Sequence, residues 1–122
     1  MKHSEGFLKL VNAAKARVRE IDVAEYWRML SAEPHLLIDV REDNEFAAGH
    51  AKGALHIGKG IIERDIETAV PDHGSPIVLY CGGGYRSALA ADALQKMGYR
   101  NVASMNGGWR GWTDAALPTT RD

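Results

Sequence analysis

Pro76-Ile77-Val78-Leu79-Tyr80-Cys81-Gly82-Gly83-Gly84-Tyr85-Arg86-Ser87 decides the fold of this 122-residue chain. The run Pro76 to Tyr80 reads as a buried β-strand. An Ala/Leu-rich helix from Ser87 to Met97 follows at once, with Leu89, Ala90, Ala93, Leu94 and Met97 on its apolar face and Gly98 closing it. A strand that feeds a helix through a short glycine loop is a unit of an α/β sheet. It places Cys81 at the strand's carboxyl end, where such sheets bind their ligands.

The rest of the chain repeats that alternation. Phe7, Leu8, Leu10, Val11, Ala14 and Val18 are spaced as one face of an amphipathic helix, with Ser4 as its expected cap and packing against the main body as its expected role. Val18 to Ile21 is a short first strand. Asp22 caps a helix through Val23, Tyr26, Trp27 and Leu30, with Glu25 in the capping-box position. Leu36 to Val40 is nearly all apolar, the pattern of a parallel strand covered on both faces. Arg41 to Ala48 reads as a short helix stopped by Gly49, Ala54 to Gly58 as a third strand, and Ile61 to Val70 as a helix ending before Pro71. Val102 to Met105 is a fifth strand, and Asn106-Gly107-Gly108 turns into a last helix holding Trp109 and Trp112. The expectation is one α/β domain with a parallel sheet.

Composition narrows the function. Fifteen Lys and Arg against sixteen Asp and Glu give a net charge of -1, which suits neither a nucleic-acid surface nor a polybasic membrane anchor. A single cysteine forms no internal disulfide and fits a reducing compartment. The first residues hold no apolar run of signal-peptide or membrane-span length, so a cytoplasmic location is expected. Five histidines without Cys/His ligand spacing argue against a zinc site.

A lone cysteine after an apolar strand is usually a small buried hydrophobe. The loop beyond Cys81 points to chemistry instead. Three consecutive glycines let backbone N–H groups turn inward as an anion-binding nest. The helix start adds unpaired N–H groups and the positive end of its dipole, and Arg86 adds a full charge. Each feature favours the thiolate, the reactive form. Cys81 is therefore the expected nucleophile, and Gly82, Gly83, Gly84, Tyr85 and Arg86 the expected substrate-binding residues.

Four ordered blocks resemble the rhodanese, or sulfurtransferase, family. Ile38-Asp39-Val40-Arg41 is similar to its Asp-x-Arg strand end, and Glu45-Phe46-x-x-Gly49-His50-x-x-Gly53-Ala54 to its Glu-(Phe/Tyr)-x-x-Gly-His-Ile-x-Gly-Ala block. The Cys81–Arg86 loop with Ser87 is similar to its active-site loop, and Gly107-Gly108-Trp109-x-x-Trp112 to its carboxy-terminal signature. Ala51 stands where the family often has isoleucine. The resemblance implies a three-layer domain over residues 18–119, with five parallel strands and helices on both faces. Residues 1–17 form an amphipathic helical extension to it. It also implies a persulfide mechanism: Cys81 takes the outer sulfur of thiosulfate or a similar anionic donor and passes it to cyanide, a thiol or an acceptor protein. That mechanism needs no metal or organic cofactor.

The remaining residues carry competing readings. Asp39 and Arg41 are catalytic groups or, as favoured here, a structural ion pair beside the site, with Ser87 as further support. His50 is a base or, preferably, a hydrogen-bonding partner of backbone in its glycine-flanked turn. Trp109 and Trp112 read as packing anchors. Tyr85 either lines the pocket mouth or faces solvent. A cysteine phosphatase places five residues between cysteine and arginine, whereas this loop has four, Gly82 to Tyr85. An arsenate reductase normally needs further cysteines, and the chain has none. A persulfide carrier or sensor for a protein partner would use the same loop and is the alternative from a different class.

Overall fold

The computed structural model describes residues 3–122. In chain order the elements are α1 (Glu5–Lys15), β1 (Arg19–Asp22), α2 (Val23–Ala32), β2 (Leu36–Asp39), α3 (Asp43–Ala48), β3 (His50–Ala51), β4 (Leu55–His56), α4 (Ile62–Ala69), β5 (Ile77–Tyr80), α5 (Tyr85–Lys96), β6 (Val102–Asn106), α6 (Gly108–Asp114) and β7 (Thr119–Thr120). Five strands form one parallel sheet in the order β1-β6-β5-β2-β4. The strand that ends in Cys81 is thus its centre, paired on both edges.

Side-chain alternation along β5 assigns the layers. Ile77, Leu79 and Cys81 join one core cluster with Ile62 and Ile66 of α4 and Ala90, Ala91 and Leu94 of α5. Val78 and Tyr80 join the other, with Tyr26 of α2 and Trp112 of α6. Each fully buried aliphatic side chain here contributes about 1.5–3 kcal/mol relative to exposure. α1 packs against α5 and buries Val11 and Ala14. The Arg17 guanidinium closes that contact on the Asp92 carboxylate at 3.0 and 2.7 Å. The three-layer α/β architecture is the one the sequence resemblance implies.

Several boundaries differ from the sequence reading, each for a local reason. α3 begins at Asp43, because the Arg41 N–H donates to the Asp39 carboxylate and the Glu42 N–H donates to the Glu45 carboxylate. α5 begins at Tyr85: Gly84 takes φ 112 and caps the helix itself, so Tyr85 and Arg86 sit on its first turn. The third strand shrinks to Leu55–His56 at the sheet edge. Ser4 occupies the α1 N-cap position without a side-chain cap bond, whereas Asp22 caps α2 by accepting the Glu25 N–H at 2.7 Å. The antiparallel pair β3–β7 is additional. Two-residue strands leave no periodicity to read.

Candidate active site

Cys81 follows the last residue of β5 and is 1% exposed. Its sulfur accepts the Gly84 N–H at 3.1 Å and the Ser87 N–H at 3.4 Å. Its thiol reaches the Ser87 hydroxyl at 3.5 Å, and that hydroxyl lies 2.8 Å from the Ser104 hydroxyl of β6. The left-handed turn at Gly84 aims its N–H inward, and a side chain there would crowd the Asn106 backbone. Among the described residues, the N–H groups of Gly82, Gly83, Tyr85 and Arg86 take no protein acceptor. The loop thus forms a main-chain cradle around one sulfur.

The carbonyl side of the loop is locked from behind. The N–H groups of Gly107, Trp109 and Arg110 donate to the carbonyls of Gly83, Cys81 and Gly82 at 3.2, 2.7 and 3.1 Å. Gly108 fits this approach only because it lacks a Cβ, which would strike the Cys81 carbonyl oxygen. The Gly-Gly-Trp block therefore turns the loop's acceptors away from the pocket.

Arg86 does not stand alone. Its guanidinium holds the Glu45 carboxylate at 2.7 and 3.3 Å, across 41 residues of chain. The pairing holds the Glu45 carboxyl below the usual carboxylate range and Arg86 above the usual arginine range. Glu45 is the site-positioning residue that the sequence reading missed. Its signal was present in the second motif block, but nothing local marks it as the partner of Arg86.

Asp39 and Arg41 are brought together as an ion pair, 0% and 3% exposed. The Arg41 side chain donates to both Asp39 carboxylate oxygens and, at 2.7 Å, to the Gly49 carbonyl. It also lies 4.7 Å from the centre of the Trp109 ring. Neither residue lines the cavity over Cys81. Their contacts tie the end of α3 to α6, which in turn locks the Cys81 loop. His50 donates through Nδ1 to the Phe46 carbonyl at 2.8 Å and stacks on the Phe46 ring. Trp112 is a buried anchor against Tyr26 and Trp27.

A cavity of about 660 Å³ opens over Cys81, with Gly82, Gly83 and Arg86 at its base. Tyr85 and Arg110 line it, and so do His3 and Phe7 from the amino-terminal segment. Tyr85 therefore faces the pocket. α1 does more than pack: it supplies Phe7 to the wall of the site.

The fold is a three-layer α/β domain with its one cysteine cradled by main-chain N–H groups at the end of the central strand. The chain belongs to the rhodanese-like family, whose domain model matches residues 22–115. It is 38% identical to the thiosulfate sulfurtransferase GlpE of Haemophilus influenzae, across 82% of this chain and 92% of that protein. The corresponding protein of Actinobacillus succinogenes is 35% identical, with 81% and 87% covered. Among solved structures, the polysulfide-sulfur transferase of Wolinella succinogenes superposes with a TM-score of 0.80 at 28% identity, over 94% of this chain and 87% of that one. A Rhodopseudomonas palustris protein, described as of unknown function and a possible tyrosine phosphatase, superposes at 0.85 with 26% identity over 98% of both chains.

Proposed function

We propose that this protein is a thiosulfate sulfurtransferase that works through a persulfide on Cys81. Family membership and relatives at 35–38% identity support sulfur transfer as the activity. The observation that carries the residue assignment is the cradle: two backbone N–H groups already point at the Cys81 sulfur, and further N–H groups of the same loop are unclaimed.

In the first half-reaction the Cys81 thiolate attacks the outer sulfur of thiosulfate. A Cys81 S–S bond forms, the bond to the sulfonate sulfur breaks, and sulfite leaves with the electron pair. The unclaimed N–H groups of Gly82, Gly83, Tyr85 and Arg86 bind the transferred sulfur and its charge. The Arg86 guanidinium, aimed by Glu45, draws the dianionic donor into the cavity. In the second half-reaction cyanide or a thiolate takes the outer sulfur and returns Cys81 as thiolate. Splitting one transfer into two displacements is ordinary covalent catalysis. The same chemistry suits a reducing, cytoplasmic setting, where thiols are available as acceptors.

Steady-state thiocyanate formation from thiosulfate and cyanide tests this reading. Sustained turnover is expected, with loss of activity in Cys81→Ser. A protein that loads one sulfur and then stalls with cyanide and with small thiols is a carrier instead.

A further inference from the structure

The cavity over Cys81 is larger than thiosulfate or cyanide requires. At about 660 Å³ it falls in the size range of pockets that enclose organic ligands. Its outer part has its own chemistry. The rings of His3, Phe7 and Tyr85 pack against one another with centroids 5.3, 4.9 and 6.2 Å apart, giving an aromatic wall. Arg110 lines the same chamber. Arg86 is already paired with Glu45, whereas Arg110 has no carboxylate in ion-pair range among the described residues. No acidic side chain lines the chamber either. His3 and Phe7 lie outside the matched residues 22–115 and Tyr85 within them, so part of this wall comes from outside the matched family domain.

Resting on the persulfide reading above, we propose that His3, Phe7, Tyr85 and Arg110 form an acceptor subsite for an organic thiol that carries a carboxylate. The carboxylate pairs with the free Arg110 guanidinium, whose planar fork suits it. The hydrocarbon part lies on the aromatic wall. The acceptor thiolate is then directed to the outer sulfur of the Cys81 persulfide. A new S–S bond forms between acceptor and outer sulfur, and the Cys81 S–S bond breaks. Its electron pair stays on the Cys81 sulfur, and the persulfide proton, where present, leaves with the transferred sulfur. No further reagent is consumed.

The test is steady-state kinetics of the full chain with thiosulfate as donor and either 3-mercaptopropionate or 2-mercaptoethanol as acceptor. The readout is the ratio of kcat/KM for the carboxylate thiol to that for the neutral thiol. Comparing this ratio between proteins cancels the intrinsic reactivity of the two thiols. It is expected to fall about tenfold in Arg110→Gln, the scale of one lost charge-assisted contact, and to be partly retained in Arg110→Lys. Phe7→Ala should raise the KM of both thiols. An unchanged ratio in a folded Arg110→Gln protein overturns the subsite, as does an unchanged KM in Phe7→Ala. Thiocyanate formation by the unmutated protein separates the two claims: without it sulfur transfer itself fails, and with it a flat ratio condemns only the subsite.

Discussion

Glu45 performs two tasks at one carboxylate. It accepts the Glu42 N–H at 3.0 Å, which starts α3, and it grips Arg86 beside the cradle. Glu45→Gln keeps the size of the side chain but removes the charge that aims the guanidinium. A loss of alignment approaching 1 Å costs up to about a hundredfold, and roughly tenfold in kcat/KM for thiosulfate is expected here, read by thiocyanate assay. The same pair has a pH signature. Arg86 lowers the Glu45 carboxyl, so its contribution to stability is complete above the unfolded value of about 4.3. It disappears as pH falls through the lower folded value. Unfolding free energy measured against pH should therefore drop more steeply below about pH 4 in the unmutated protein than in Glu45→Gln. The place of Cys81 and its glycines between a strand and a helix was legible in the sequence because that geometry is local. The Glu45–Arg86 pair was not, because chain spacing says nothing about a partner 41 residues away.

At the scale of elements, the six residues Cys81 to Arg86, the β5–α5 loop with the first two residues of α5, are fixed on both sides. The Gly84 N–H holds the sulfur in front, and the α6 N–H groups hold the Cys81, Gly82 and Gly83 carbonyls behind. One extra glycine between Gly83 and Gly84 breaks this register. Thiosulfate sulfurtransferase activity should fall on the order of a hundredfold while circular dichroism shows the fold retained. Full activity in a folded insertion variant would show that loop length does not select sulfur over larger oxyanions. The α1–α5 contact gives a second prediction. Arg17 lowers the Asp92 carboxyl by a direct charge-assisted bond, so the clasp is complete above the ordinary carboxylate range and is lost as pH falls below it. Asp92→Asn should speed amide exchange in α1 at neutral pH and leave β5 protected. The strands of the parallel sheet and the larger helices were readable because hydrophobic period and capping residues are written in consecutive positions, whereas the two-residue strands β3 and β7 were not. The early start of α5 was not, because a glycine in the left-handed region can cap a helix that its side chain gives no sign of.

For the whole molecule, alternation of strand and helix foretold the parallel sheet, and four motif blocks foretold the family. Packing explains why those blocks lie so far apart in the chain. Arg41 binds Gly49 and lies against Trp109, Trp109 secures the Cys81 carbonyl, and Glu45 secures Arg86. Each block thus supports one wall of the same cradle. The amino-terminal segment was legible as a helix but not as part of the site, since His3 and Phe7 meet Tyr85 only through the docking of α1 on α5. The likeness to a protein described as a possible tyrosine phosphatase belongs to this scale too, because one fold carries more than one chemistry. The proposed chemistry rests on Cys81. Intact-mass analysis after incubation with thiosulfate should show a species heavier by one sulfur atom, removed by cyanide and absent in Cys81→Ser. Thiosulfate turnover with no such species, or an equal adduct on the serine variant, would contradict the account.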